Sequence, residues 1–307
     1  MRKLKFDLDV ETNALLCPNP SEFFAKSYIQ ENVANNFRSI PGVKESTKIA
    51  KNTFTNLIKT AGCSWSDTDT ILDAETVSVC PADIMLEVCQ FDLESSYVSM
   101  KMSAGDANWQ ENEFLSYFWS ELSEAVAGEV QSIRWNGDTN LTGDTSNKVC
   151  DGYIKNIAAA TGSTETTGAT VTSSNIIATL TALIGTLPEA VKGNKKDVRI
   201  YMSETNAFYY QLATLGLNNN FNYTGDLDLK FAGYTIAVQP GMNDDYIIAG
   251  SVQSFGYIFD GEGDAKKLKI VNMIDTTAEP ILRARIGMKF GFPILNDGAE
   301  TAYYNAS

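Results

Sequence analysis

Residues 111–135 read ENEFLSYFWSELSEAVAGEVQSIRW, and this stretch sets how the rest of the chain is organised. Phe114, Phe118, Leu122, Val126, Val130 and Ile133 recur every three or four residues, which places them along one face of a helix. Asn108 is positioned as an N-cap, with Glu111 three residues on as its capping-box partner. Glu111 and Glu113 complement the positive end of the helix dipole and Arg134 the negative end. Asn136-Gly137 stops the helix. At about 1.5 Å per residue it is roughly 37 Å long, the width of a domain. The aromatic cluster Phe114, Tyr117, Phe118 and Trp119 at one end reads as core or interface packing, not as a ligand cage.

N-terminal to this helix, residues 1–45 read as an extended arm. Pro18, Pro20 and Pro41-Gly42 punctuate it, and only a short helical patch around Phe23, Phe24, Tyr28 and Ile29 breaks it. In the stretch 46–100, Ile49, Phe54, Leu57 and Ile58 sit near helical spacing and predict a helix. Strand-like segments follow at Thr76–Val79 and Ile84–Val88, separated by Cys80-Pro81-Ala82-Asp83, and suggest a two-stranded ribbon projecting from the body. A lone hairpin is marginal in water, so such a ribbon needs a surface to lie on. Residues 97–102 alternate like another strand.

C-terminal to it, residues 138–175 are polar and end in TGSTETTGATVTSS, which reads as a surface loop. Ile176, Ile177, Leu180, Leu183, Ile184 and Leu187 then mark a second amphipathic helix, capped by Ser173 or Ser174 and interrupted near Pro188. Val198–Met202 reads as a buried strand and Ser203–Leu215 as a helix opening on a serine cap. Strands follow at Phe231–Val238, Tyr246–Ala249, Phe255–Phe259 and Leu268–Ile274. In a further, final strand, Leu282, Ala284, Ile286, Met288 and Phe290 alternate with Arg283, Arg285, Gly287 and Lys289, which gives an apolar face and a basic face. The order is that of an α+β fold, helices packed on largely antiparallel sheet.

Composition narrows the function. Among 307 residues, 44% are hydrophobic and 20% charged, which is enough for one large domain or two modest ones. There is no histidine, which removes Ser-His-Asp triads, Cys-His pairs and imidazole metal ligands. Five scattered cysteines without a Cys-x-x-Cys spacing point to free, mostly buried thiols in a reducing cytoplasm. No run of about 18 apolar residues would span a bilayer. The N-terminus has basic residues with no apolar segment behind them, which argues against a secretory signal. The net charge of −14 is uneven: residues 1–60 carry nine basic and six acidic side chains, residues 61–180 four and eighteen. So acidic a middle repels polyanions. The basic arm, with Arg2, Lys3, Lys5 and Arg38, is suited to the acidic body of a neighbouring copy.

Candidate chemistry is thin. Asp138-Thr-Asn140-Leu-Thr142-Gly143 begins like a calcium loop, but its twelfth position is Val149, where a bidentate glutamate is needed. Gly261-Glu-Gly263-Asp-Ala-Lys266 lacks the third glycine of a dinucleotide fingerprint and reads as a hairpin turn. Asp244-Asp245 and Asp260, Glu262 and Asp264 read as acidic turns. The basic stripe Arg283, Arg285 and Lys289 serves intrachain ion pairs, an acidic neighbouring subunit, or packaged nucleic acid. No catalytic, metal or cofactor site is expected.

The order of arm, ribbon, long helix, helix-and-strand domain and closing strands resembles the major capsid protein of tailed bacteriophages, the Hong Kong 97-type fold. The segments that carry the resemblance are Gly233-Tyr-Thr-Ile-Ala-Val238 with Pro240-Gly241-Met242, then Ile247–Asp260, then Arg283-Ala-Arg285-Ile-Gly287. The helix at 111–135 matches the family's spine helix in position. The resemblance implies an arm at 1–45, an E-loop at 46–100, a peripheral domain from 101–150 and 271–307, and an axial domain at 151–270. It implies a non-enzymatic subunit that assembles with its own copies into hexamers and pentamers of an icosahedral or prolate shell. Further implied partners are a separate scaffold protein, a portal, auxiliary head proteins and double-stranded DNA held without sequence-specific contact, with no cofactor and no membrane. The implied location is the virion capsid, assembled in the host bacterial cytoplasm. An encapsulin-like nanocompartment shell shares the fold, and a carboxylate-dependent enzyme is the alternative from another class.

Overall fold

The computed structural model describes residues 36–54, 70–89, 113–143, 145–217, 229–260, 269–273, 277, 279 and 281–306. Its elements in chain order are β1 (Arg38–Pro41), β2 (Ser46–Phe54), β3 (Thr70–Ser78), β4 (Cys80–Cys89), α1 (Glu113–Asn136), α2 (Tyr153–Ala159), β5 (Thr164–Gly168), α3 (Ile176–Thr186), α4 (Glu189–Lys192), β6 (Val198–Met202), α5 (Glu204–Leu217), β7 (Lys230–Phe231), β8 (Tyr234–Val238), β9 (Tyr246–Ser251), β10 (Gly256–Phe259), β11 (Lys269–Asn272), β12 (Ile281–Gly291) and β13 (Thr301–Ala306). The long helix stands where its periodicity places it. Along its described face Val126, Val130 and Ile133 are buried and Glu121, Glu124 and Glu129 exposed. The Asn108 cap, the strand expected at 97–102 and the glycine turn at 261–266 lie outside the described residues.

Three sheets organise the described residues. A six-stranded sheet runs β5-β13-β9-β6-β8-β7, and a second sheet joins β1-β10-β12-β11 with β4 also paired to β12. The third is the two-stranded ribbon of β2 and β3. Strand β6 shows why the six-stranded sheet is central. Its Val198, Ile200 and Met202 enter a core formed with Ile176, Leu180 and Leu183 of α3, while Tyr201 enters a second core on the other face. A strand buried on both faces reads as a mostly apolar run, as VRIYM does apart from the half-buried Arg199. Strand β12 instead alternates: Ala284, Ile286, Met288 and Phe290 are buried, Arg283 and Arg285 exposed.

Several local expectations are corrected. The helix expected from Ile49 is strand β2, paired in register with β3 from Ser46↔Ser78 to Phe54↔Thr70. The ribbon is therefore β2 with β3, and β4 instead crosses the body, paired with β12 from Cys89↔Ile281 to Cys80↔Phe290. The single strand expected at Phe231–Val238 is a hairpin, since Ala232 and Gly233 both take positive φ (51° and 90°), the backbone of a two-residue turn. The polar stretch 138–175 is not all surface: Tyr153 and Ile157 of α2 are fully buried, and β5 lies parallel to β13. The N-cap position of α3 is Asn175 and not Ser173 or Ser174, and its side chain makes no capping bond: its Oδ1 accepts the Thr172 N–H of the preceding turn at 2.7 Å. The sheets also cut across the boundary expected at residue 270. β10 sits in the sheet of β12, and the closing strand β13 sits in the six-stranded sheet.

The arm is corrected at its root. Phe37 is 3% exposed, Val43 is buried, and β1 lies parallel to β10, so the end of the arm is tied to the body, with Phe37 and Val43 in its core. One aromatic residue in a run without periodicity gives no pattern to detect.

Candidate functional site

The end of α1 is where the body, the ribbon and the arm meet. Gly137 and Gly152 bring two backbones together there, and the Gly152 N–H donates to the Gly137 carbonyl at 2.8 Å. A Cβ on Gly137 would stand 2.1 Å from the Cys150 carbonyl oxygen, so only glycine fits. In the last turn of α1, the Arg134 guanidinium lies 5.2 Å from the ring centres of both Phe37 and Tyr257. Arg134 is buried, and no carboxylate among the described residues pairs with it. The ring faces and the negative end of the helix therefore carry its compensation. Phe37 also stacks on Tyr153 at 5.3 Å and Tyr201 at 5.5 Å and tilts against Trp135 at 6.0 Å. Burial pushes the Tyr257 hydroxyl up to about 12 against the opposing pull of Arg134, and burial raises Tyr153 and Tyr201 as well. These rings are neutral packing groups.

A cleft of about 360 Å³ opens beside this junction, between β3 and the body. Its wall includes Glu75 on the ribbon, Asp151 and Asp297 on the body, and both Cys80 and Cys150. The ribbon is fastened along this edge. Lys51 pairs with Asp297, and Glu75 accepts the Asn296 N–H at 3.0 Å. Burial raises the Glu75 carboxyl above its usual range, and the Asn296 bond only partly offsets that. Beside the cleft, Lys155 bridges Asp138 at 2.5 Å and the cleft-lining Asp151 at 2.7 Å. Lys155 holds Asp138 below its usual range; for Asp151 burial acts upward, but the Lys155 and Thr139 bonds together outweigh it. The two aspartates near the calcium-like loop are thus held by a lysine. Cys80 and Cys150 form a disulfide with Cα atoms 5.6 Å apart, and Cys89 is free, which corrects the expectation of free thiols at the first two.

The residues expected to contact neighbours separate into three groups. Arg2, Lys3 and Lys5 lie outside the described residues. Arg38 is exposed on β1. On the outer face of β12, the Arg283 Nε donates to Glu87 at 2.8 Å, Arg285 pairs with Asp83, and the Lys289 ammonium donates to the Lys44 carbonyl. The two arginines of the stripe are therefore matched within the chain by acids of β4, and Lys289 by a backbone carbonyl. Only the alternation of β12 was readable beforehand, because nothing in a sequence gives which strand lies beside it. Asp244 and Asp245 border β9, and Asp260 is buried beyond β10. Exposed apolar side chains outside this region include Phe208, Leu212 and Leu215, aligned on one face of α5.

Comparison of the whole structure decides the fold. The cyanophage A-1(L) capsid subunit is 12% identical and superposes with a TM-score of 0.62 over 92% of this chain and 94% of its own. The satellite phage P4 procapsid, described with its size determination protein, gives 9% identity and a TM-score of 0.59 over 93% and 97%. The chain has the Hong Kong 97-type capsid fold. A virus-like particle from Pyrococcus furiosus shares that capsid fold at 10% identity, with a TM-score of 0.53 over 94% and 97%. No protein-family model matches the sequence, and no curated protein matches it. The likeness therefore lies in the three-dimensional arrangement and not in conserved motifs.

Proposed function

We propose that this chain is the major capsid protein of a tailed bacteriophage, a non-enzymatic subunit whose hexamers and pentamers close a shell around the genome. The observation that carries this reading is the near-complete mutual coverage with phage capsid subunits: more than nine-tenths of this chain is matched, and little of theirs is left over. The capsid fold, the ribbon and the arm supply an economical way to build a shell. A ribbon of two strands is marginal on its own and gains stability from any surface it lies across. On this reading residues 46–100 hold the E-loop with its flanking segments, β4 among them in the body sheet, 101–150 and 271–307 form the peripheral domain, and 151–270 the axial domain, with the exchange of β10 and β13 between sheets noted above.

The arm of residues 1–45 extends from its buried root at Phe37 and lays Arg2, Lys3, Lys5 and Arg38 over the acidic surface of 61–180 on a neighbour. Each exposed contact is worth about 0–1 kcal/mol, so repetition over the lattice supplies the effect. Arg283, Arg285 and Lys289 contact neighbouring copies by exchanging Glu87, Asp83 and the Lys44 carbonyl for acidic groups of the neighbour. Packaged double-stranded DNA is held without base-specific contact. A separate scaffold protein, a portal and auxiliary head proteins complete the head, which is assembled in the host cytoplasm and ends as the virion. Sedimentation of purified material, followed by nuclease digestion and analysis of what stays protected, tests this. Shells protecting DNA during infection support the reading; shells holding a protein cargo instead would move it to the nanocompartment that shares the fold.

A further inference from the structure

We propose that Cys80 and Cys150 are an oxidative modification site that works as a latch: two thiols while the subunit assembles, a disulfide in the finished particle. Closed, it pins the root of the β2–β3 ribbon to the end of α1. The timing rests on the capsid reading; the latch itself rests on the chain alone.

The placement carries the argument. Cys80 opens β4 and follows β3, which ends at Ser78, so it sits at the hinge where the projecting ribbon becomes a body strand. Cys150 belongs to the segment that Gly152 binds to Gly137, at the end of the long helix. With Cα atoms 5.6 Å apart, the two meet the geometry of a bridge without backbone movement. The bond spans 70 residues, a separation that includes all of β4 and α1. Both cysteines line the cleft beside β3; Cys80 is half-buried and meets small solutes there, while Cys150 is buried behind it at 3% exposure. Besides this bond, the ribbon edge is fastened by the Lys51–Asp297 pair, the Asn296–Glu75 bond and the packing of Val77 and Ile49 with Ile258 and Leu295. The first of these is exposed and individually weak. Cys89 is no competitor, since nine residues of extended strand put it roughly 30 Å from Cys80.

Closure balances with a low-molecular-weight disulfide such as oxidised glutathione. The Cys80 thiolate attacks it, a mixed disulfide forms and one glutathione leaves; the Cys150 thiolate then displaces the second, both protons having passed to solvent. Two protein thiols are oxidised and one external disulfide is reduced to two thiols.

The test compares cells quenched with an alkylating agent during expression, particles purified in the same agent, and particles treated with dithiothreitol. Expected are alkylated Cys80 and Cys150 in the quenched cells and a cross-linked Cys80–Cys150 peptide in the particles. Reduction should then raise amide exchange several-fold across 46–54 and 70–80 with the six-stranded sheet unchanged, and lower the melting temperature by roughly 5–15 °C. The double variant Cys80→Ser with Cys150→Ser should match the reduced protein, and Cys89→Ser the parent; should the double variant not fold, titrating the parent with reductant makes the same comparison. The proposal is overturned by a bond already closed in the quenched cells, by alkylatable Cys80 and Cys150 in finished particles, or by a bond whose reduction leaves ribbon exchange and melting unchanged. If no particle forms, oxidation and exchange measured on the isolated chain decide the latch, and the capsid reading alone falls.

Discussion

Replacing Phe37 by alanine removes a ring that is 3% exposed and touches Trp135, Tyr153 and Tyr201, with Arg134 held against its face. Burying a phenylalanine withdraws roughly 150–200 Å² from water, and truncating one in a core costs about 3–5 kcal/mol. Losing one face of the buried guanidinium adds about 1 kcal/mol, because Tyr257 alone then offsets its desolvation. The expected loss is about 4–6 kcal/mol, or roughly 6–10 °C in melting temperature for a chain of 307 residues. Urea unfolding of the unassembled chain, followed by tryptophan fluorescence, measures it. A paired truncation sharpens the result: a chain starting at Asn36 keeps the anchor, and one starting at Ser46 loses Phe37, β1 and Val43 together. A loss below about 1 kcal/mol for Phe37→Ala, or equal stability of the two truncations, would refute the view that the arm is rooted in the core.

Other outcomes follow from the same geometry. Val126→Asp puts a carboxylate into the buried face of α1 and should prevent folding, seen as loss of the cooperative thermal transition; a folded variant of parental stability would undo the assignment of that face. Glu75 has a raised folded-state carboxyl, so its ionisation favours the unfolded chain as pH rises from the ordinary carboxyl value through the raised one. Glu75→Gln, whose amide oxygen still accepts from Asn296, should flatten stability against pH between about 4 and 7 and match or exceed the parent at pH 7; a clear loss at pH 7 would contradict this. Arg283→Ala breaks an exposed pair with Glu87 and should cost less than about 1 kcal/mol in the isolated chain by urea unfolding, while a loss above 2 kcal/mol would mean the pair is not solvent-screened.

What could be read from the residues was whatever repeats. The stripe Val126, Val130, Ile133, the stripe Ile176, Leu180, Leu183 and the alternation of β12 each bury one face and therefore leave a period in the sequence. Features fixed by tertiary pairing left none. Ser46–Phe54 has the composition of a strand or a helix, and its register with β3 makes it a strand. The Ala232-Gly233 turn hides because alanine seldom takes positive φ. Phe37 is one ring, and its value lies in Trp135, Tyr153 and Tyr201, which come from distant parts of the chain. The basic face of β12 was legible, yet its pairing with Asp83 and Glu87 depends on β4 arriving from some 200 residues away. The cysteine bridge likewise joins residues 70 positions apart with no spacing motif.

Electron cryo-microscopy of the purified, expressed chain tests the central claim most directly. The account predicts closed shells in which this subunit repeats in rings of six and five, with Phe37 of each copy seated against Trp135 and the β2–β3 ribbon reaching beyond its own body. Discrete monomers or dimers under every assembly condition, or a closed particle whose subunit density departs from this fold, would contradict it.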